Sequence, residues 1–174
     1  MNLVINFVGF QIGWFACVIG AAQSLPFFSI LCALVIVAFH LYRNSSRSEL
    51  YIIITAIVIG FIWETLLLSS GWLSYSLTGD SLVFAPIWLV AMWALFASTV
   101  NHSMAWLKGR WLLASLLGAI FGPLAFIAGE TFGAVVFLDR FFALLSLVLG
   151  WAVLMPLLLW LADKFQNRFE NMEN

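Results

Sequence analysis

The segment LYIIITAIVIGFIWETLLLS, residues 50–69, decides how the whole chain is read. It carries one formal charge, Glu64. At 1.5 Å per residue, a helix of this length spans about 30 Å, the thickness of the hydrocarbon core of a bilayer. A run this long and this apolar is the pattern of a membrane-spanning helix, and the question it leaves is why one carboxylate sits inside it.

The rest of the chain agrees with that reading. Of 174 residues, 64% are hydrophobic and 9% are charged, with a mean hydropathy of +1.09. Soluble domains carry roughly a quarter charged residues, so this composition has to face lipid. The net charge of −1 and the lack of any Lys/Arg cluster exclude a nucleic-acid partner. The lipid bilayer is the expected partner. No Lys or Arg precedes the first apolar run, and Asn6 and Gln11 interrupt it. The segment therefore reads as a retained first helix rather than a signal peptide.

Six segments reach spanning length: 3–22, 26–42, 50–69, 83–107, 111–130 and 140–162. The expected fold is an all-α, six-span transmembrane helix bundle forming a single domain, 1–162, with a polar cytoplasmic tail at 163–174. If the spans alternate, Arg43, Arg47, Lys108, Arg110, Lys164 and Arg168 share one side, and only Arg140 faces the other. Positive charge marks the cytoplasmic side, so both termini are expected there, in a bacterial inner membrane. Residues 131–139 leave three readings open: an extension of the fifth helix, an interfacial segment or a re-entrant one.

In lipid, helices associate through small residues and hydrogen bonds. The fifth segment carries Ser115, Gly118, Gly122, Ala125 and Gly129 on one face, continued by Gly133, and Pro123 is expected to kink it. The first carries Asn6, Gly9, Gly13, Ala16 and Gly20 in the same way, and the fourth Ala91, Ala94, Ser98, Asn101 and Ala105. These three helices are expected to form the core, with the fifth at its centre.

Most of the charge falls in loops, tail or helix ends. Glu64 and Glu130 do not, and intramembrane acids turn inward and mark functional sites. By helical rise, Glu64 lies roughly 21 Å and Glu130 roughly 29 Å from the side on which their helices begin. The expectation is a polar cavity open to the outer face, floored by Glu64, rimmed by Glu130 and joined by Tyr75 and Asp80 from the outer loop. Asn6, Gln11, Trp63, Trp93 and Asn101 complete the candidate lining. His102 is a candidate proton donor because histidine titrates near neutral pH. The bland alternatives are helix-to-helix hydrogen bonds for Glu64, His102, Asn6 and Gln11, and an interfacial position for Glu130. No HExxH or other metal-binding pattern, hydrolase motif or phosphate loop occurs, so neither a metal nor a cofactor is expected.

Four stretches, NFVGFQIGWF (6–15), PIWLVAMWALFA (86–97), GPLAFIAGETFGA (122–134) and WAVLMP (151–156), together resemble a bacterial family of small integral-membrane proteins, domain-of-unknown-function family 2878. The resemblance covers nearly the whole chain. It implies an inner-membrane helical protein and brings no catalytic residues, since the family is uncharacterised. It also implies a gene neighbourhood of fatty-acid modification and oxidative-stress response.

Three functions remain open at this point. One is an intramembrane enzyme, or a subunit of one, acting on a lipid-like substrate with Glu64 as acid/base and His102 or Glu130 as auxiliary. The second is a proton-coupled carrier titrating at Glu64, for which a homodimer is expected. The third is a scaffold or accessory membrane subunit in which the polar groups only hold helices together.

Overall fold

A computed structural model of the chain describes residues 3–76 and 84–173. Six helices and one short strand pair follow in the order α1 (Leu3–Ala22), α2 (Pro26–Arg43), α3 (Arg47–Ser69), β1 (Leu73–Tyr75), α4 (Ile87–Val100), α5 (Trp111–Phe132), β2 (Val135–Phe137) and α6 (Arg140–Glu173), with one turn of 3₁₀ helix at Ala105–Leu107. Five of the helices are long and apolar enough to cross a membrane. Their outward faces carry exposed Leu, Ile, Val and Phe side chains along their length, a surface suited to lipid and not to water. Asp80, expected in the outer loop, lies outside the described residues.

The elements begin and end where local chemistry directs. Pro26 opens α2, at a position where its missing N–H is not needed. Ser46 caps α3 by accepting a hydrogen bond from Ser48 N, so that helix starts at Arg47 and not at Leu50. The fourth helix departs further from expectation: it covers 14 residues, about 21 Å of rise, and not the whole of 83–107. Pro86 stands at its N-cap. At its other end, Ser98 Oγ donates to Leu95 O and Thr99 Oγ1 to Phe96 O. Such side chains offer the backbone alternatives to helix, and the polar run from Asn101 turns the chain away.

The central element is α4, not α5. It packs on α1, α2 and α3 and touches α6 lightly, whereas α5 packs mainly on α6, then on β2, and meets α1 only lightly. Every residue from Trp93 to Val100 is buried. An all-round apolar helix of this kind belongs in the middle of a bundle. The lower part of the small-residue stripe on α5 serves α6: a Cβ at Gly118 would meet Trp151 O at 2.3 Å, and one at Gly122 would meet the Trp151 ring at 2.2 Å, while Gly129 higher up faces Val135 of β2. Pro123 is buried on α5, and the helix continues unbroken through it.

Residues 131–139 follow none of the three expected courses in full. After Phe132 the chain turns at Gly133, whose φ of +85° is left-handed and favours glycine. It then forms β2, which pairs antiparallel with β1 in the register Leu73↔Phe137, Ser74↔Val136 and Tyr75↔Val135. A two-stranded ribbon therefore caps one end of the bundle, here the upper end. The α2–α3 turn marks the lower end. At the boundary expected between the last span and a polar tail, α6 instead continues past residue 162 to Glu173, and Tyr51 of α3 packs on Phe165 and Phe169. The polar tail is the last part of that helix.

Candidate functional site

Glu64 is 1% exposed, and both its carboxylate oxygens are engaged. Tyr75 Oη donates to Oε2 at 2.5 Å, and Trp93 Nε1 donates to Oε1 at 3.0 Å. The strand pair is what makes the first bond. Tyr75 faces Val135 in the ribbon and stands over the upper half of α3. The second bond depends on a glycine one turn before Glu64. Gly60 and Glu64 share a face at i, i+4, and a Cβ on Gly60 would lie 2.1 Å from the Trp93 ring. The bare backbone lets the indole lie flat on α3 with its N–H aimed at the carboxylate.

Trp93 in turn stacks on Trp151 of α6, with centroids 5.2 Å apart and planes 11° from parallel. Gly122 leaves room for Trp151 as Gly60 does for Trp93. Two indoles, each seated on a glycine, thus form one wall of a cavity of about 560 Å³. The cavity lies between α1 and α5, over α4 and α6, where α1 and α5 hardly meet. Its lining is almost wholly apolar, including Phe10, Met92, Phe96 and Phe126; among the described residues Glu64 supplies its only carboxylate, and Gln11 also reaches it. Half-exposed Phe7, Phe15, Phe121 and Leu124 mark its mouth on the lipid-facing side. Trp151 Nε1 is buried without a hydrogen-bond partner.

The expected polar cavity is therefore an apolar one, and it opens between helices instead of at the upper face. Glu130 is not part of it. Arg140 Nη1 donates to Glu130 Oε2 at 2.7 Å, with the arginine exposed and the glutamate about a third exposed. Other candidates are also dispersed. Trp63 fits over Gly150 of α6. Asn6 ties α1 to the end of α4, its Nδ2 donating to Ser98 O at 2.9 Å and its Oδ1 accepting from Ser103 N at 3.2 Å. Of the proposed lining, Gln11 and Trp93 reach the cavity beside Glu64, and Tyr75 holds Glu64 from behind.

His102 and Asn101 belong to a second site at the lower end, which sequence reasoning missed. Its centre is Glu49, in the first turn of α3 and 5% exposed. His40 Nε2 lies 2.8 Å from Glu49 Oε2, Asn101 Nδ2 donates to Oε1 at 3.0 Å, and His102 Nε2 lies 3.3 Å from Oε1. That last distance is within ion-pair range, but the geometry is not that of a hydrogen bond, and His102 Nε2 has no hydrogen-bond partner. The one sequence signal was a histidine in the last turn of α2 and a glutamate in the first turn of α3, across the short turn at 44–46. His102 comes from the turn after α4 and has no fixed spacing to either.

A family model described as "Protein of unknown function (DUF2878)" matches residues 3–157. No curated protein and no solved structure matches the chain.

Proposed function

Because the chain belongs to the DUF2878 family of unknown function, we propose a role on grounds of geometry: the protein takes the apolar part of a lipid-like molecule from the bilayer into the cavity between α1 and α5 and presents its polar end to Glu64. One observation carries this reading: an apolar cavity of about 560 Å³, with its mouth toward lipid, has Glu64 as its one carboxylate among the described residues. The volume falls in the range of roughly 300–1,000 Å³ typical of ligand sites, and an apolar lining with few polar groups is their usual chemistry. Glu64, held by Tyr75 and Trp93, acts as acid or base toward the ligand's polar group, accepting a proton when ionised and returning it when protonated.

A second reading has its own support. Both oxygens of Glu64 already have partners on other elements, which is what a latch joining α3 to α4 and the ribbon requires. The two readings separate on bound lipid. Protein purified in mild detergent is expected to carry an apolar ligand at about one per chain by native mass spectrometry. Ala125→Trp, which fills the cavity, is expected to lose it, and Glu130→Gln to keep it. Equal lipid retention by Ala125→Trp would overturn the lipid reading. In cells lacking the gene, a lipid species whose level changes should be restored by the wild-type chain and not by folded Glu64→Gln. Restoration by Glu64→Gln would leave Glu64 a latch.

We further propose a six-span threading in a bacterial inner membrane with the lower end in the cytoplasm. Its support is the placement of Arg43, Arg47, Lys108, Arg110, Lys164 and Arg168 on elements that end or begin there, against Arg140 alone at the upper end. The short α4 then crosses with the help of its flanking segments. A reporter fused after Asn174 is expected to read cytoplasm; a periplasmic signal would refute this threading.

A further inference from the structure

The cluster at the lower end offers ligands from three separate elements: His40 from α2, Glu49 from α3 and His102 from the turn after α4. Their ligand atoms all lie within 4.8 Å of one another, and the two imidazoles meet edge to face with centroids 5.0 Å apart. We propose that His40, Glu49 and His102 bind one divalent transition-metal ion, zinc being the reference case, with an open coordination position.

Distance supports this first. Zinc–nitrogen and zinc–oxygen bonds of 2.0–2.2 Å in a tetrahedron set neighbouring ligands about 3.3–3.6 Å apart. The 3.3 Å from His102 Nε2 to Glu49 Oε1 falls in that range, and His40 Nε2, 2.8 Å from the other oxygen, Oε2, has to move outward by about half an ångström to join it. The ligand set agrees as well. Two histidines and a carboxylate leave a fourth position free, the pattern of sites that hold a water or a substrate beside the ion.

Hydrogen bonding gives the third argument. Ser46 and Glu49 have the S-x-x-E spacing of a capping box, in which the glutamate would fold back to the cap. Here Ser46 N instead donates to Asn44 O, and Glu49 turns inward to the histidines. Asn101 Nδ2 bonds Glu49 Oε1 and orients the carboxylate as outer partners of metal ligands do. Of the buried atoms without a partner in this cluster, His102 Nε2 is the one an ion engages; His40 Nδ1 and Asn101 Oδ1 are also unpartnered, and an ion leaves them so. An ion takes up His102 Nε2 directly. It also requires the Nδ1–H tautomer of both imidazoles, which frees their Nε2 lone pairs.

Access is available. A second cavity of about 500 Å³, largely polar, is lined by Glu49, Asn101, His102, Gln166 and Glu170 together with the α2–α3 turn. The fourth position faces it. Lys108 lies at the same end and donates to Gln166. Burial lowers its pKa, while Asp163, Glu49 and Glu170 oppose that shift, so its charge is balanced by acids close by. By helical rise, Glu49 and Glu64 are about 22 Å apart on α3. This is a site distinct from the lipid cavity.

The test uses the full chain in detergent, stripped with chelator and dialysed. Cobalt(II) titration is expected to give d–d absorption bands that saturate at one equivalent, and zinc should displace them. His102→Ala and His40→Gln are expected to weaken binding by at least about tenfold while circular dichroism stays helical. Glu130→Gln, remote from the cluster, should bind as wild type. Absence of saturable d–d bands in the wild-type chain would overturn the proposal without recourse to any variant. Equal affinity in folded His102→Ala would show adventitious binding and overturn it as well.

Discussion

Glu64→Ala is expected to lower the unfolding free energy by roughly 2–5 kcal/mol, read as a shift in reversible unfolding in mixed micelles. The change leaves two buried donors, Tyr75 Oη and Trp93 Nε1, without their acceptor. Each stranded donor costs about 1–3 kcal/mol, and there is no bulk water in the bundle to relieve them. The asymmetry of buried polar groups gives the control. Removing all partners together should cost far less than removing one, so Glu64→Leu combined with Tyr75→Phe and Trp93→Phe is expected to recover most of the loss. Glu64→Gln keeps an acceptor for one donor and should fall between wild type and Glu64→Ala. A triple variant no more stable than Glu64→Ala would show that the penalty comes from lost volume and not from stranded donors.

This pair of donors explains what the sequence made legible and what it hid. Residues 50–69 announced a spanning helix and marked Glu64 as inward-facing, because a long apolar run and one buried charge are both local properties. The partners are not local. Trp93 is 29 positions away from Glu64, and its role rests on Gly60 having no side chain, a fact of packing that reads in sequence only as one glycine among twelve. Tyr75 reaches Glu64 through the ribbon, whose second strand, Val135–Phe137, lies in the segment that sequence reading left open.

The misplacement of the bundle centre has a related cause. A stripe of small residues shows that a helix is approached closely, but not by how many neighbours. On α5 the stripe serves α6 along its lower part and β2 at Gly129, and the residues Leu112, Leu116, Ile120 and Phe121 point outward, exposed. On α4 the tell was weaker in pattern and stronger in sum: no face of it is polar until the chain reaches Ser98. The lower site was hidden for yet another reason. Its three ligands are separated by nine positions and then by 53, so no spacing motif covers them.

The seam between α5 and α6 should be the most sensitive place in the protein to added volume. Gly118→Ala puts a Cβ 2.3 Å from Trp151 O and 2.8 Å from Met155 Cβ. The first of these is backbone and has no rotamer through which to escape. Overpacking of this kind costs about 1–3 kcal/mol, and Gly118→Leu should exceed that and reduce the yield of folded protein in detergent. Gly9→Ala is the matched control. Its Cβ would meet only Ile36 Cγ2, at 3.8 Å, so it should be neutral, or gain the roughly 0.5–1 kcal/mol by which alanine exceeds glycine inside a helix. The two substitutions are chemically identical and differ only in what lies beyond the glycine. The Gly118 effect also carries to the cavity, because Trp151 is both what Gly118 packs against and the partner on which Trp93 stacks. A folded Gly118→Ala chain should therefore show altered tryptophan fluorescence and weaker lipid retention, while Gly9→Ala shows neither. Equal stability of the two variants would mean that α5 and α6 are not held at the close approach that builds the cavity wall.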